Sequence, residues 1–171
     1  MKNIFWSDYK RITGESGKKI NSILKNFVKF HQIRFMYFFR KNNRVFLKIY
    51  KLKYGLEIYS KDIGEGLYLG HAFNITINPN AKIGKNCNIH KGVTIGQENR
   101  GKRKGAPQIG DKVWIGVNAT IVGKIKIGNN VLIAPNTYIN CDIPDDSIVF
   151  GNPCIIKHNE RATENYIIDT I

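Results

Sequence analysis

From Ile63 onward an aliphatic side chain returns every six residues. The series runs Ile63 and Leu69, then Ile77, Ile83, Ile89 and Ile95, then Ile109, Ile115, Ile121, Ile127, Ile133 and Ile139. Two insertions interrupt it, of two residues after Leu69 and of eight after Ile95. A glycine follows the aliphatic residue in seven of the twelve units, and the fifth position is small or apolar where no loop intervenes, as at Val113, Ala119, Ile125, Val131 and Thr137. Six residues are too few for a helix plus a strand. They fit a short strand and a tight corner, with one side chain inward on the strand and a smaller one inward at the corner. Three units close one triangular coil, so the twelve predict a parallel β-helix of about four coils. Successive coils then hydrogen-bond at ~4.8 Å, and stacked Ile side chains fill the interior.

A different rhythm precedes the repeat. Ile20, Ile23, Leu24, Phe27, Phe30, Phe35 and Phe38 follow a helical stripe, and Val45, Phe46, Ile49 and Tyr50 form a second, shorter one. Two helices with a break near Asn42 and Asn43 are expected. The chain therefore divides into a helical segment at 1–54, a repeat domain at 55–157 with an extended loop at 97–108, and a tail at 158–171.

Composition agrees with this division. The 27 Ile against 7 Leu favour strands, and the 19 Asn against 6 Ala favour corners and left-handed backbone. The formal net charge of +14 is unevenly spread. Residues 1–54 hold 14 basic and 2 acidic side chains and 12 of the 19 aromatics, whereas residues 55–171 hold 13 basic and 11 acidic ones. A basic, aromatic helical segment suits either a cap over the open end of the β-helix or an anionic membrane surface. Nucleic acid is disfavoured, because no zinc-finger spacing, helix-turn-helix signature or RNP-like strand accompanies the charge. The opening MKNIFWSDYK lacks the apolar stretch of a secretory leader, and Cys87, Cys141 and Cys154 make no disulfide framework. Both point to a cytoplasmic protein, peripheral to the inner face of the membrane if the basic segment binds there.

The run GEGLYLGH at 64–71, the two-residue insertion, VTIG at 93–96, the long loop ending at Pro107, VWIG at 113–116, Ile143 with Pro144, and Gly151-Asn152-Pro153 resemble the hexapeptide-repeat acyltransferases. The resemblance spans about residues 56 to 157 and is to the serine O-acetyltransferase-like branch, which includes many enzymes of capsule and exopolysaccharide clusters. It implies a left-handed β-helix, a homotrimer with active sites between subunits, and acetyl-CoA as co-substrate.

Moving an acetyl group from a thioester to a hydroxyl requires a base for the hydroxyl proton and a groove that holds the pantetheine in line. Histidine is the natural base near neutral pH. The resemblance places that role on His71, with Glu57 as the orienting carboxylate and Asp62 as its competitor. His90, about one coil later on the same face, is a candidate acceptor ligand or a plain strand decoration. With no third histidine close by, a zinc site is not expected. Arg100, Lys102 and Arg103 of the loop are candidates for binding an acidic sugar or CoA phosphates. Val117, Pro135, Asn140 and Lys157 match acetyl-CoA-lining positions. Cys87, at an inward corner, reads as core.

The serine enzymes carry an acid before the catalytic histidine and an Arg-His pair before the loop proline. Here those positions are Gly70, Gly105 and Ala106. The expected reaction is therefore acetyl transfer to a hydroxyl of a polysaccharide or its sugar precursor, in a ternary complex without an acyl-enzyme. The alternatives are O-acetylation of L-serine, and a non-catalytic scaffold that binds membrane or acidic polymer through residues 1–54.

Overall fold

A computed structural model describes residues 4–15 and 20–171. Four helices come first: α1 (Ile4–Thr13), α2 (Ile20–Lys29), α3 (His31–Arg40) and α4 (Arg44–Tyr54). The expected break at Asn42 and Asn43 is present, and the Asn43 side chain caps α4 by accepting from the Phe46 N–H at 3.3 Å. The stripe from Ile20 to Phe38, however, is two helices. Phe30 is extended between them and Arg34 reaches back to the carbonyls of Phe27 and Val28. Helix α1, which lies before the expected stripes, completes the four. Gly55, in left-handed conformation, ends α4 and turns the chain into the repeat domain.

The repeat domain is a parallel β-helix with three sheets. The first stacks Glu57–Ile58, Thr76–Ile77, Thr94–Gly96, Thr120–Val122 and Tyr138–Ile139. The second stacks Lys82–Ile83, Gln108–Ile109 and Lys126–Ile127, extended by single bridges at Ile63 and Ile143. The third stacks Tyr68–Gly70, Asn88–His90, Val113–Ile115, Val131–Ile133 and Ser147–Phe150, and Ile155–His158 closes it antiparallel. Each sheet thus has five levels, one more than the twelve regular units predict. The extra coil is split between Glu57–Ile58 at one end and Ile143 with Ser147–Phe150 at the other, where the spacing is irregular.

Inside the prism the predicted aliphatic residues stack in register. Ile77, Ile95, Ile121 and Ile139 form one fully buried column, and Leu69, Ile89, Ile115, Ile133 and Val149 another. Burying each side chain is worth about 1.5–3 kcal/mol. Asparagine is abundant because corners need left-handed backbone: Asn74, Asn86, Asn118, Asn130 and Asn136 all have φ between 52° and 59°. Glycine recurs after the second sheet because the coils nearly touch there. A Cβ on Gly64 would lie 2.7 Å from the Gly84 carbonyl oxygen.

The helices cover the first coil. Asp8 is fully buried, pairs with Arg40 at 2.8 Å and accepts from the Leu67 N–H at 2.8 Å. Arg40 also donates to the carbonyls of Ile63 and Gly64, both at 2.7 Å. Arg11 donates to the Gly66 carbonyl at 2.9 Å and to Asn88 at 2.8 Å. The unpaired edge of the first coil is thereby hydrogen-bonded, and the basic segment serves as the cap that the sequence allowed. Removing Asp8 leaves Arg40 charged and largely buried without its counter-ion. Asp8→Ala is expected to lower unfolding stability by about 3–5 kcal/mol, read as a fall in the urea midpoint; a loss below about 1 kcal/mol would show that the pair is not what holds the cap.

Candidate active site

Each coil has three corners, and two of them carry His71, Val117, Pro135, Asn140 and the loop cations. The corner after the third sheet carries His71, Lys91, Val117 and Pro135 at successive levels. Main-chain hydrogen bonds link these levels: Gly92 N–H to Phe73, Asn118 N–H to Lys91 and Asn136 N–H to Val117, at 2.9 to 3.0 Å. The corner after the first sheet carries the loop at 97–108, Gly123 and Asn140.

His71 follows Tyr68–Gly70 directly and is exposed, with φ of 50°. Left-handed backbone costs a residue with a Cβ roughly 1–2 kcal/mol, and here it turns the imidazole outward at the head of the corner. The two-residue insertion anchors this turn. Ala72 is fully buried and its carbonyl is 3.1 Å from His31 Nε2, while the His31 ring stacks on Tyr54 at 4.6 Å.

His90 pairs with Gly70 across the third sheet. Its ring lies over that glycine so closely that a Cβ at position 70 would stand 2.4 Å from His90 Nδ1. The ring is also 4.6 Å from Trp114. His90 Nε2 is buried and, among the described residues, has no hydrogen-bond partner. Burial, and then the nearby charge of His71, hold the His90 imidazole below its ordinary range, so it is neutral at pH 7. That His90 lies one coil after His71 was expected. The close fit of His90 over Gly70 was not, because the glycine column gives no hint of which side chain occupies the space.

Glu57 does not orient His71. Its carboxylate accepts from Tyr59 at 3.1 Å and pairs with Lys51 of α4 at 3.2 Å. Among the described residues no hydrogen bond joins it to His71. Glu57 and Ile58 alternate outward and inward on the strand, and the outward direction meets α4. Asp62 pairs with Lys82 at 3.5 Å on another corner.

The loop folds back along its own prism. Glu98 and Gly105 exchange main-chain hydrogen bonds at 3.0 and 2.9 Å, Gly101–Arg103 forms a single 3-10 turn, and the Arg103 carbonyl accepts from the Lys124 N–H at 2.8 Å. The Arg103 guanidinium contacts the Asn140 carbonyl. Arg103 is thus committed within the chain, whereas the side chains of Arg100 and Lys102 are exposed. Of the predicted acetyl-CoA positions, Val117 and Pro135 share the His71 corner and Asn140 does not. Lys157 pairs with Ile148 on the edge of the third sheet, its ammonium 5.6 Å from the Phe150 ring centroid.

One further feature has no signal in the repeat pattern. The tail folds along the third sheet, where Tyr166 packs on Trp114 at 5.1 Å and its carbonyl accepts from Asn88. Trp114 therefore faces the tail and His90. Cys87 is core, as expected, and burial pushes its thiol up to about 12.

Residues 106–141 match the family described as bacterial transferase hexapeptide (six repeats). The serine acetyltransferase of Staphylococcus aureus strain Mu50 is 37% identical over 100 residues, 58% of this chain and 47% of that protein. That of Staphylococcus epidermidis is 37% identical over 109 residues, 63% of this chain and 51% of that protein. The chain spans about half the length of these relatives. Among solved structures, Neisseria gonorrhoeae serine acetyltransferase in complex with serine superposes with a TM-score of 0.71 at 29% identity, covering 89% of this chain and 67% of that one. The soybean apoenzyme gives 0.51 at 36% identity, covering 56% and 39%. Residues 106–141 thus carry the hexapeptide-repeat signature of that transferase family, and the chain is similar in sequence and in fold to serine acetyltransferases.

Proposed function

We propose that the chain transfers an acetyl group from acetyl-CoA to a hydroxyl, with His71 as the base. The observation that carries this reading is His71 itself, exposed at the head of its corner, with a half-buried, neutral His90 one level below. His71 takes the hydroxyl proton as the oxygen attacks the thioester carbonyl. The C–S bond then breaks, and the imidazolium returns its proton to the departing thiolate, so no acyl-enzyme forms. His90, partly exposed one level below Gly70, is the candidate to meet the acceptor, while its buried Nε2 lacks a hydrogen-bond partner among the described residues. Val117 and Pro135 continue the corner below His71, and Lys157 lies on the closing strand, one step beyond the fifth level. Five steps of about 4.8 Å separate it from the first level, roughly 24 Å, a run suited to an extended pantetheine with its nucleotide phosphates toward Lys157.

A site that uses both His71 and the cations of the loop needs more than one chain, because one prism carries them on different corners. A closed three-fold assembly joins the two corners three times over, which supports a homotrimer.

For the acceptor, the relatives support L-serine over the sugar hydroxyl expected from sequence, since they are serine acetyltransferases and one is bound to serine. One observation favours the sugar as a second reading. Gly70, Gly105 and Ala106 stand where those enzymes grip their zwitterion, and the His90 ring fills the space that an acid at 70 would need.

Acetyl-CoA turnover with L-serine and with a panel of glycan acceptors decides between them: CoA release with L-serine alone is the leading expectation, and release with glycans alone establishes the second reading. His71→Ala is expected to lower turnover with the active acceptor by about 100- to 10,000-fold. A loss under about ten-fold would remove His71 from the mechanism.

Proton NMR titration tests the histidine pair. His90 is expected to titrate below the ordinary histidine range, and His71→Ala to shift it upward only in part, since burial is the larger cause. A histidine depressed in the folded state contributes stability above its unfolded pKa and loses it as pH falls. Acidification from about pH 6.5 should therefore destabilise the wild type more than His90→Asn.

A further inference from the structure

Between the helical cap and the first coil lies a cavity of about 880 Å³, within the size range of small-molecule sites. Its floor is the open top of the prism core, Leu56, Ile58 and Ile63. Its other apolar walls come from α1, α3 and α4. Around these stand Arg40, Arg44, Lys48, Lys51 and Lys61, and no acidic side chain lines it. Arg40 is taken by Asp8 and Lys51 by Glu57. Among the described residues Arg44, Lys48 and Lys61 have no acidic partner.

An apolar floor below unpaired cations complements a molecule that is hydrocarbon at one end and anionic at the other. A nucleotide or sugar phosphate fits poorly, because its hydroxyls would be buried against aliphatic side chains without partners. The outer face of α4 points to the source. Val45, Ile49 and Leu52 are 69%, 48% and 77% exposed between Arg44, Lys48, Lys51 and Lys53, as on a helix lying in a bilayer surface. Leu52 belongs to both this stripe and the cavity wall.

We propose that the cavity admits the hydrocarbon chain of one anionic membrane phospholipid, whose phosphate rests on Arg44, Lys48 and Lys61. The site would tether the chain to the bilayer by a single lipid as well as by general attraction to the surface. It is separate from the His71 corner, and its test uses no acetyl-CoA, so it stands or falls independently of the proposed reaction.

The test is calorimetric titration of the full chain with a short-chain phosphatidylglycerol below its micelle concentration. Short-chain phosphatidylcholine and inorganic phosphate serve as controls, and phosphatidylglycerol vesicles are tested by sedimentation. The expected result is one phosphatidylglycerol per chain, with neither control binding comparably. Charge reversal at two exposed positions, Lys48→Glu with Lys61→Glu, should weaken binding by about thirty-fold or more and leave the thermal midpoint near the wild type. Leu47→Trp should block the apolar part and weaken phosphatidylglycerol without restoring phosphatidylcholine. Equal binding of phosphatidylcholine or inorganic phosphate would overturn the proposal. So would unchanged affinity in both variants, or a double variant that changes only the self-association of the chain.

Discussion

The stacking of one aliphatic side chain directly on another, at every sixth residue, is the constraint on which the rest depends. The coils are short, so a strand of two or three residues has little pairing energy of its own. What fixes its register is the interior column, where a slip of one residue would turn the whole inward set toward solvent. Once Leu69, Ile89 and Ile115 are stacked, the residues beside them are stacked too. His90 must then lie over Gly70, and Trp114 must lie beside His90. The candidate site is in this sense a by-product of core register, held as rigidly as the core.

The same constraint leaves one end of the prism unsatisfied. A first coil has no coil above it, and its carbonyls and apolar interior need a cover. Asp8, Arg11 and Arg40 meet the polar part of that need, and the aromatics of α3 meet part of the apolar one. Burial pushes the Asp8 carboxyl upward while Arg40 and the main-chain N–H groups pull it back, so the pair works against a large desolvation cost. The cover is incomplete, and the space left between α4 and the first coil is the cavity with the basic rim. Basic residues thus serve two ends: Arg11 and Arg40 turn inward as structure, while Arg44 and Lys48 of the cap and Lys61 of the first coil remain available at the mouth.

Much of the prism was legible in the sequence because its period is a direct image of its geometry. Ile63 through Ile139 predicted inward columns that the fold contains, and Asn at the corners follows from left-handed backbone. The fifth coil escaped because Ile58 stands five residues before Ile63 and Ile143 four after Ile139, which puts both, and Val149 after them, out of phase with the repeat. The division of the N-terminal stripe at Phe30 escaped because apolar periodicity continues across it. His71 was reached through the inserted corner and the resemblance together, and the fold leaves it exposed at that corner. Glu57 was chosen by distance along the chain, and distance along the chain does not say which way a strand residue points. Arg103 looked like a free cation for the same reason. Its partner is a carbonyl 37 positions away.

The central claim is that His71 accepts the acceptor's proton while His90, neutral, only binds. The pH dependence of kcat/KM tests this most directly, measured for the wild type, His90→Asn and His71→Ala with the same acceptor. The account predicts a rate that rises with pH through one ionisation in the wild type and in His90→Asn. In His71→Ala the residual rate should lack that ionisation. The same rising limb in His71→Ala, or its loss in His90→Asn alone, would contradict the assignment.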